Sequence, residues 1–256
     1  MIMNVNGMGT SFPAVLRGDD IFISSYPRSG NTWMRTWISD VLLQLNGYQT
    51  TSVLPITVKE IVPDIHQDDI NSFNKGIANK SCRFIKSHWQ YDKYAKKTIY
   101  IFRKPGDALC SYYQMVKDNN DGRVEFSCDQ FCIENAPVWL QHTQSYISAI
   151  NTNANVLFVS YEAMNFVPLQ VLRRVFDFVC LKPTDDMLKK TVANHCFELK
   201  QANEAANSSK NYKGTFYRKG KINSSLEEIG VEAYLRLNSV TYQTYSSLKV
   251  LEESKL

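Results

Sequence analysis

Short apolar runs and helical apolar stripes alternate along this chain. Ile21, Phe22 and Ile23, followed by Ser24 and Ser25, form a β-branched and aromatic run that predicts a buried strand. It meets the turn residues Pro27, Ser29 and Gly30. Trp33, Met34, Trp37, Ile38, Val41, Leu42 and Leu45 then recur at helical spacing and predict a helix over 31–45. Residues 82–86 and 98–102 read as two further strands, and Pro105 opens a helix whose apolar face is Ala108, Leu109, Tyr112, Tyr113 and Val116. A helix is expected over 137–150, a strand buried on both faces over 155–160, and a helix over 167–179. This alternation implies one α/β domain over residues 1–256, a central parallel sheet flanked by helices. Residues 47–80 and 118–135 lack periodicity and are expected as long loops. From 205 to 225 the chain turns polar and basic.

Composition narrows the class. At 44 % hydrophobic and 21 % charged residues, the chain can build a large core. A net charge of +4 falls short of the dense basic face of a nucleic-acid binder, but suits a local pocket for a polyanion. No basic stretch followed by an apolar core opens the sequence, and no apolar run is long enough to span a bilayer. A cytoplasmic protein without membrane or nucleic-acid partners is expected. Among six cysteines, Cys128 and Cys132 are spaced to share a helix face, but the sequence offers no second half of a zinc site, so no metal is expected. Buried reduced thiols are the expectation.

The candidate chemistry begins at the junction of the first strand and first helix, Ser25-Tyr26-Pro27-Arg28-Ser29-Gly30-Asn31-Thr32-Trp33. Glycine lets backbone approach an anion closely, and the helix start turns unpaired N–H groups toward it. Arg28 adds a full charge, and Ser29 and Thr32 add hydroxyl donors. A nucleoside-triphosphate loop would carry Gly-Lys-Ser/Thr, whereas Asn31 follows Gly30 here.

In these residues the chain resembles the cytosolic sulfotransferases that use PAPS (3′-phosphoadenosine 5′-phosphosulfate). Their Y-P-[KR]-S-G-[TN]-T-W motif matches residues 26–33, with arginine at Arg28 as in bacterial forms. Lys86-Ser87-His88 is similar to their K-[TS]-H, and Arg103-Lys104-Pro105-Gly106-Asp107 through Ser111-Tyr112-Tyr113 to their R-[NK]-P-x-D-x-x-x-S-Y-Y. Tyr161-Glu162 resembles x-x-Y-E, and Phe216-Tyr217-Arg218-Lys219-Gly220 resembles F-x-R-K-G. The elements arrive in the family's order over about four-fifths of the chain.

The resemblance implies a P-loop-like fold, PAPS as co-substrate and 3′,5′-adenosine bisphosphate (PAP) as product. Carried over residue by residue, it assigns the 5′-phosphosulfate to Arg28, Ser29, Gly30, Asn31 and Thr32. It assigns the 3′-phosphate to Arg103, Ser111, Arg218, Lys219 and Gly220, and the adenine to Trp33, Tyr161 and Phe197. His88 becomes the general base, since imidazole titrates near neutrality, while Arg28 and Lys86 steady the leaving phosphate. The acceptor is expected to be a small molecule sulfated at a hydroxyl or amine, with Trp89, Tyr91, Tyr94, Tyr112, Tyr113 and Trp139 as candidate pocket walls. His66, His142 and His195 read as structural or solvated, and Asp64, Asp68 and Asp69 as a solvated loop cluster. A magnesium-dependent small-molecule kinase and a non-catalytic nucleotide-binding protein are the alternatives.

Overall fold

A computed structural model describes residues 16–66, 82–152, 154–196, 199 and 222–254. Four strands, β1 (Asp20–Ser25), β2 (Arg83–Ser87), β3 (Lys97–Phe102) and β4 (Asn155–Ser160), pair in parallel in the order β2-β1-β3-β4. Their side chains alternate between two cores, as the pleat requires. Ile21, Ile23, Ile99, Ile101, Leu157 and Val159 share one core with Trp33, Trp37 and Val41 of helix α1 (Asn31–Leu45). The same core takes Val171, Leu172 and Val175 of α6 (Pro168–Phe178) and Leu188 of α7 (Asp185–Asn194). On the opposite face, Tyr100, Phe102, Val156 and Phe158 pack with α3 (Pro105–Asn119), α4 (Cys128–Ala149) and the long C-terminal α8 (Ser225–Glu253). Short helices α2 (Val58–Ile61) and α5 (Tyr161–Phe166) complete the described elements. The fold class is the expected α/β arrangement of a parallel sheet flanked by helices; β1, β3, β4, α1 and α6 begin and end within about a residue or two of their expected limits, and α3 begins at Pro105 as expected.

Two expectations require correction. Helix α4 starts at Cys128, not near Pro137, so the second part of the expected 118–135 loop, from 128 onward, is helical. Ser127 and Gln130 form a reciprocal capping box that nucleates this earlier start, and Pro137 is carried inside the helix. Helices α7 and α8 occupy segments for which the periodicity gave no element. In α8 the buried positions are Ser225, Ile229, Leu237, Thr241, Thr244, Leu248 and Glu252, and the two threonines interrupt the apolar stripe. No helix among the described residues is long and apolar enough to cross a membrane.

Candidate active site

The strand order decides where a site can form. From β1 the chain passes to β2 on one side, and from β2 it crosses to β3 on the other, so connections diverge at the carboxyl end of β1. Ligands of open parallel sheets bind in the crevice outside such a point. Arg28, His88, Arg103 and Tyr161 follow the ends of β1, β2, β3 and β4 respectively.

The loop after β1 takes its shape mainly from backbone. Arg28 (φ 65°) and Gly30 (φ 104°) both lie in the left-handed region. A Cβ on Gly30 would sit 2.8 Å from the Tyr161 ring, so only glycine fits there. No side chain caps α1 and no acidic residue lies in its first turn, which leaves the helix's positive end uncompensated toward the loop. The Ser29 hydroxyl is fully buried and has no hydrogen-bond partner among the described residues. Such an orphan donor beside a helix start fits an anionic ligand.

Two of the expected cationic elements meet. Arg28 Nε donates to Ser111 Oγ at 3.1 Å, and Arg103 Nη1 donates to the Arg28 carbonyl at 3.3 Å. The Arg103 guanidinium lies 4.3 Å from the Tyr161 ring centre, so one tyrosine supports both Gly30 and Arg103. Asn31 turns the other way: its amide donates to the Ile23 carbonyl (2.9 Å) and Ser25 Oγ (3.2 Å), tying α1 back to β1. Thr32, half-buried, accepts at its carbonyl from the Thr36 hydroxyl.

Trp33 is buried, its indole N–H donating to the His195 carbonyl at 2.7 Å. Its ring tilts against Trp37 and Tyr161, with centroids 5.0 and 5.8 Å away. A cavity of about 110 Å³, lined by Trp33, Trp37, Met164, Asn165, Pro168, Val192 and Cys196, opens beside it. Phe197, Arg218, Lys219 and Gly220 lie outside the described residues. The N–H groups of Asn223 and Ser225 donate to the Asp107 carboxylate at 2.7 and 3.0 Å. A Cβ on Gly106 would meet Ser225 Oγ at 2.6 Å, so this glycine admits the start of α8 against α3.

His88 is fixed from four directions. Its Nδ1 lies 2.8 Å from the Ser25 carbonyl, which can only accept, so Nδ1 carries the proton and Nε2 keeps its lone pair. Its backbone N–H donates to His66 Nε2 at 2.7 Å, and the two imidazoles stack at 5.9 Å. Its carbonyl lies 3.2 Å from His142 Nε2, whose ring accepts from the Tyr100 hydroxyl, 3.1 Å away, at Nδ1. Burial first, and then the Lys86 charge, lower His88 to about 3. Burial likewise lowers His142 to about 4. Both rings are therefore neutral at physiological pH.

The Lys86 ammonium is buried in an ion pair with Asp64. Burial pushes the Asp64 carboxyl up, but the Lys86 charge and hydrogen bond bring it net below the usual carboxylate range. Asp64, 1 % exposed, is thus no member of a solvated cluster, and Asp68 and Asp69 lie outside the described residues. His195 is buried and paired with Asp40 at 2.7 Å, a structural role as expected. His66 and His142, by contrast, hold His88, a role nothing in their sequence surroundings signals. Of the expected pocket walls, Trp89 stands edge-on to His66 at 5.2 Å, Tyr94 is exposed, and Trp139, 1 % exposed, is core instead.

Comparison with known proteins matches residues 18–249 to the sulfotransferase domain family. Sulfotransferase 1B1 of Canis lupus familiaris is 28 % identical over 229 residues, covering 80 % of this chain and 76 % of that protein. Flavonol 3-sulfotransferase of Flaveria bidentis is 26 % identical over 176 residues, covering 63 % of this chain and 56 % of that one. The latter match thus spans little more than half of its relative. Mouse sulfotransferase SULT7A1, solved in complex with PAP, superposes with a TM-score of 0.70 at 22 % identity, covering 93 % of this chain and 89 % of that one. That likeness places the fold.

Proposed function

The chain belongs to the sulfotransferase domain family, and from that premise we propose that it transfers a sulfuryl group from PAPS to a hydroxyl or amine of a small acceptor, with His88 as general base. The observation that carries the reading is the double use of Ser25. This last residue of β1 opens the anion loop and, through its carbonyl, holds the proton on His88 Nδ1. The basic nitrogen and the anion cradle are thereby fixed to one point of the backbone.

The residues fit the donor at both ends. The orphan Ser29 hydroxyl, the uncapped start of α1 and Arg28 suit a phosphosulfate. Arg103 and Ser111, in contact with Arg28 and its carbonyl, suit the nearby 3′-phosphate, with Arg218, Lys219 and Gly220 assigned there by the family motif. The cavity beside Trp33, walled by Cys196 next to Phe197, suits the adenine. The donor supplies an activated sulfur with a phosphate leaving group. His88 Nε2 takes the acceptor's proton as the acceptor oxygen or nitrogen bonds to sulfur and the sulfur–oxygen bond to phosphate breaks. Arg28 and the amino end of α1 meet the charge that develops on the leaving phosphate. Lys86 is the second cation of this scheme; Asp64 holds its ammonium, and the phosphosulfate competes with that carboxylate for it. A polyanion in the loop also raises the basicity of the low-lying His88, because it stabilises the imidazolium.

Calorimetry with PAP and with AMP tests the reading. PAP is expected to bind at least about tenfold tighter, the least that one charge-assisted pair to the 3′-phosphate contributes. Equal affinities would overturn it. A screen of phenols, alcohols and amines with labelled PAPS then names the acceptor, and turnover of magnesium-ATP instead would identify a kinase.

A further inference from the structure

The structure supplies the partner that sequence spacing left missing from the cysteine pair. Cys128 and Cys132 occupy the first two turns of α4, and α3 packs beside them with Cys110. The three sulfurs all lie within 4.8 Å of one another, and Cys110 Sγ is 3.7 Å from Cys132 Sγ. A tetrahedral zinc ion with sulfur arms of about 2.3 Å has a sulfur–sulfur edge of about 3.8 Å. We propose that Cys110, Cys128 and Cys132 form a binding site for one thiophilic divalent metal ion of the zinc type.

Burial and access agree with such a site. Cys110 and Cys132 are buried, whereas Cys128 is half-buried and gives the entry path. Cys128 sits in the first turn of α4, where the positive end of the helix favours anionic sulfur. The Glu228 carboxylate of α8 adds a negative field at Cys110 that favours a cation. A thiol must lose its proton to ligate a metal, so binding displaces protons and strengthens as pH rises. Cys110 immediately precedes Ser111, which receives the Arg28 hydrogen bond, so a bound ion would clamp α3 to α4 directly behind the anion cradle.

The test uses the full chain, reduced, stripped with chelator and titrated with Co²⁺. Expected are saturation at one equivalent, a thiolate-to-cobalt charge-transfer absorption, proton release, and displacement of cobalt by Zn²⁺. Cys128→Ser, at the half-buried helix start, is expected to keep the parent's thermal unfolding and to weaken Co²⁺ binding by more than about tenfold. Cys180→Ser, at an exposed cysteine outside the trio, is expected to leave it unchanged. No charge-transfer band at one equivalent, or the same titration in Cys128→Ser, would overturn the proposal. So would loss of two titratable thiols without a band, which identifies a disulfide. None of these readouts depends on sulfuryl transfer.

Discussion

The loop after β1 and the segment after β2 meet at Ser25, but they are shaped by different means. The first is local. Two left-handed residues, an uncapped helix start and a buried serine lie within six consecutive positions, and most of the geometry is backbone. The second is assembled from afar. His88 is held by Ser25, His66 and His142, which stand 63, 22 and 54 positions away in sequence. A binding cradle can be encoded in one short motif because helix dipole and amide N–H groups come with the backbone. A base with one nitrogen free needs side chains on several elements to hold its ring and its peptide at once.

Substitutions on each side sharpen this contrast. His88→Ala is expected to lose about 10²–10⁴-fold in turnover while PAP affinity changes little. Steady-state kinetics with labelled PAPS and calorimetry on the same sample check it. Parent-like turnover would remove His88 from the base role. Gly30→Ala strikes the cradle instead. It places a side chain at φ 104° and 2.8 Å from Tyr161, and is expected to cost about 2 kcal/mol or more in stability together with PAP affinity. Thermal unfolding and calorimetry would both register it, and a parent-like alanine variant would show that the loop is not locally determined.

Acid sensitivity probes the assembled side. His88 and His142 are held at about 3 and about 4, below the ordinary 6.5. Between those values the unfolded chain binds more protons than the folded one, so stability falls as pH drops from about 6.5 toward 4. His142→Gln removes one contribution, about 3 kcal/mol at most across that window, and should flatten the fall. Unfolding curves recorded from pH 7 to pH 4 that keep the parent slope would exclude His142 as a buried neutral ring.

The same contrast explains what could be read in advance. Strand ends, α1 and the start of α3 were legible because β-branched runs, helical spacing and Pro105 act over a few residues. The start of α4 was written in Ser127 and Gln130, but Pro137 masked it. Helix α8 escaped because threonines fill two of its buried positions. The cradle residues were visible as one motif. The roles of His66, His142 and Asp64 were not, since each acts on a partner at least 22 positions away. Cys110 joined its partners the same way, across two helices.

Helix α8 bears on how the molecule is made. Its start is pinned on Asp107, and near its end Glu252 accepts from both the N–H and the hydroxyl of Ser160, the residue before Tyr161, at 2.7 and 2.9 Å. Ser160 thus receives its acceptor 92 residues later in the chain. At a synthesis rate of about 5–20 residues per second, the peptide behind Tyr161 spends several seconds on the ribosome before that lock exists. All four strands are therefore made before Glu252 can brace Ser160, the residue that leads into the tyrosine under Gly30 and Arg103.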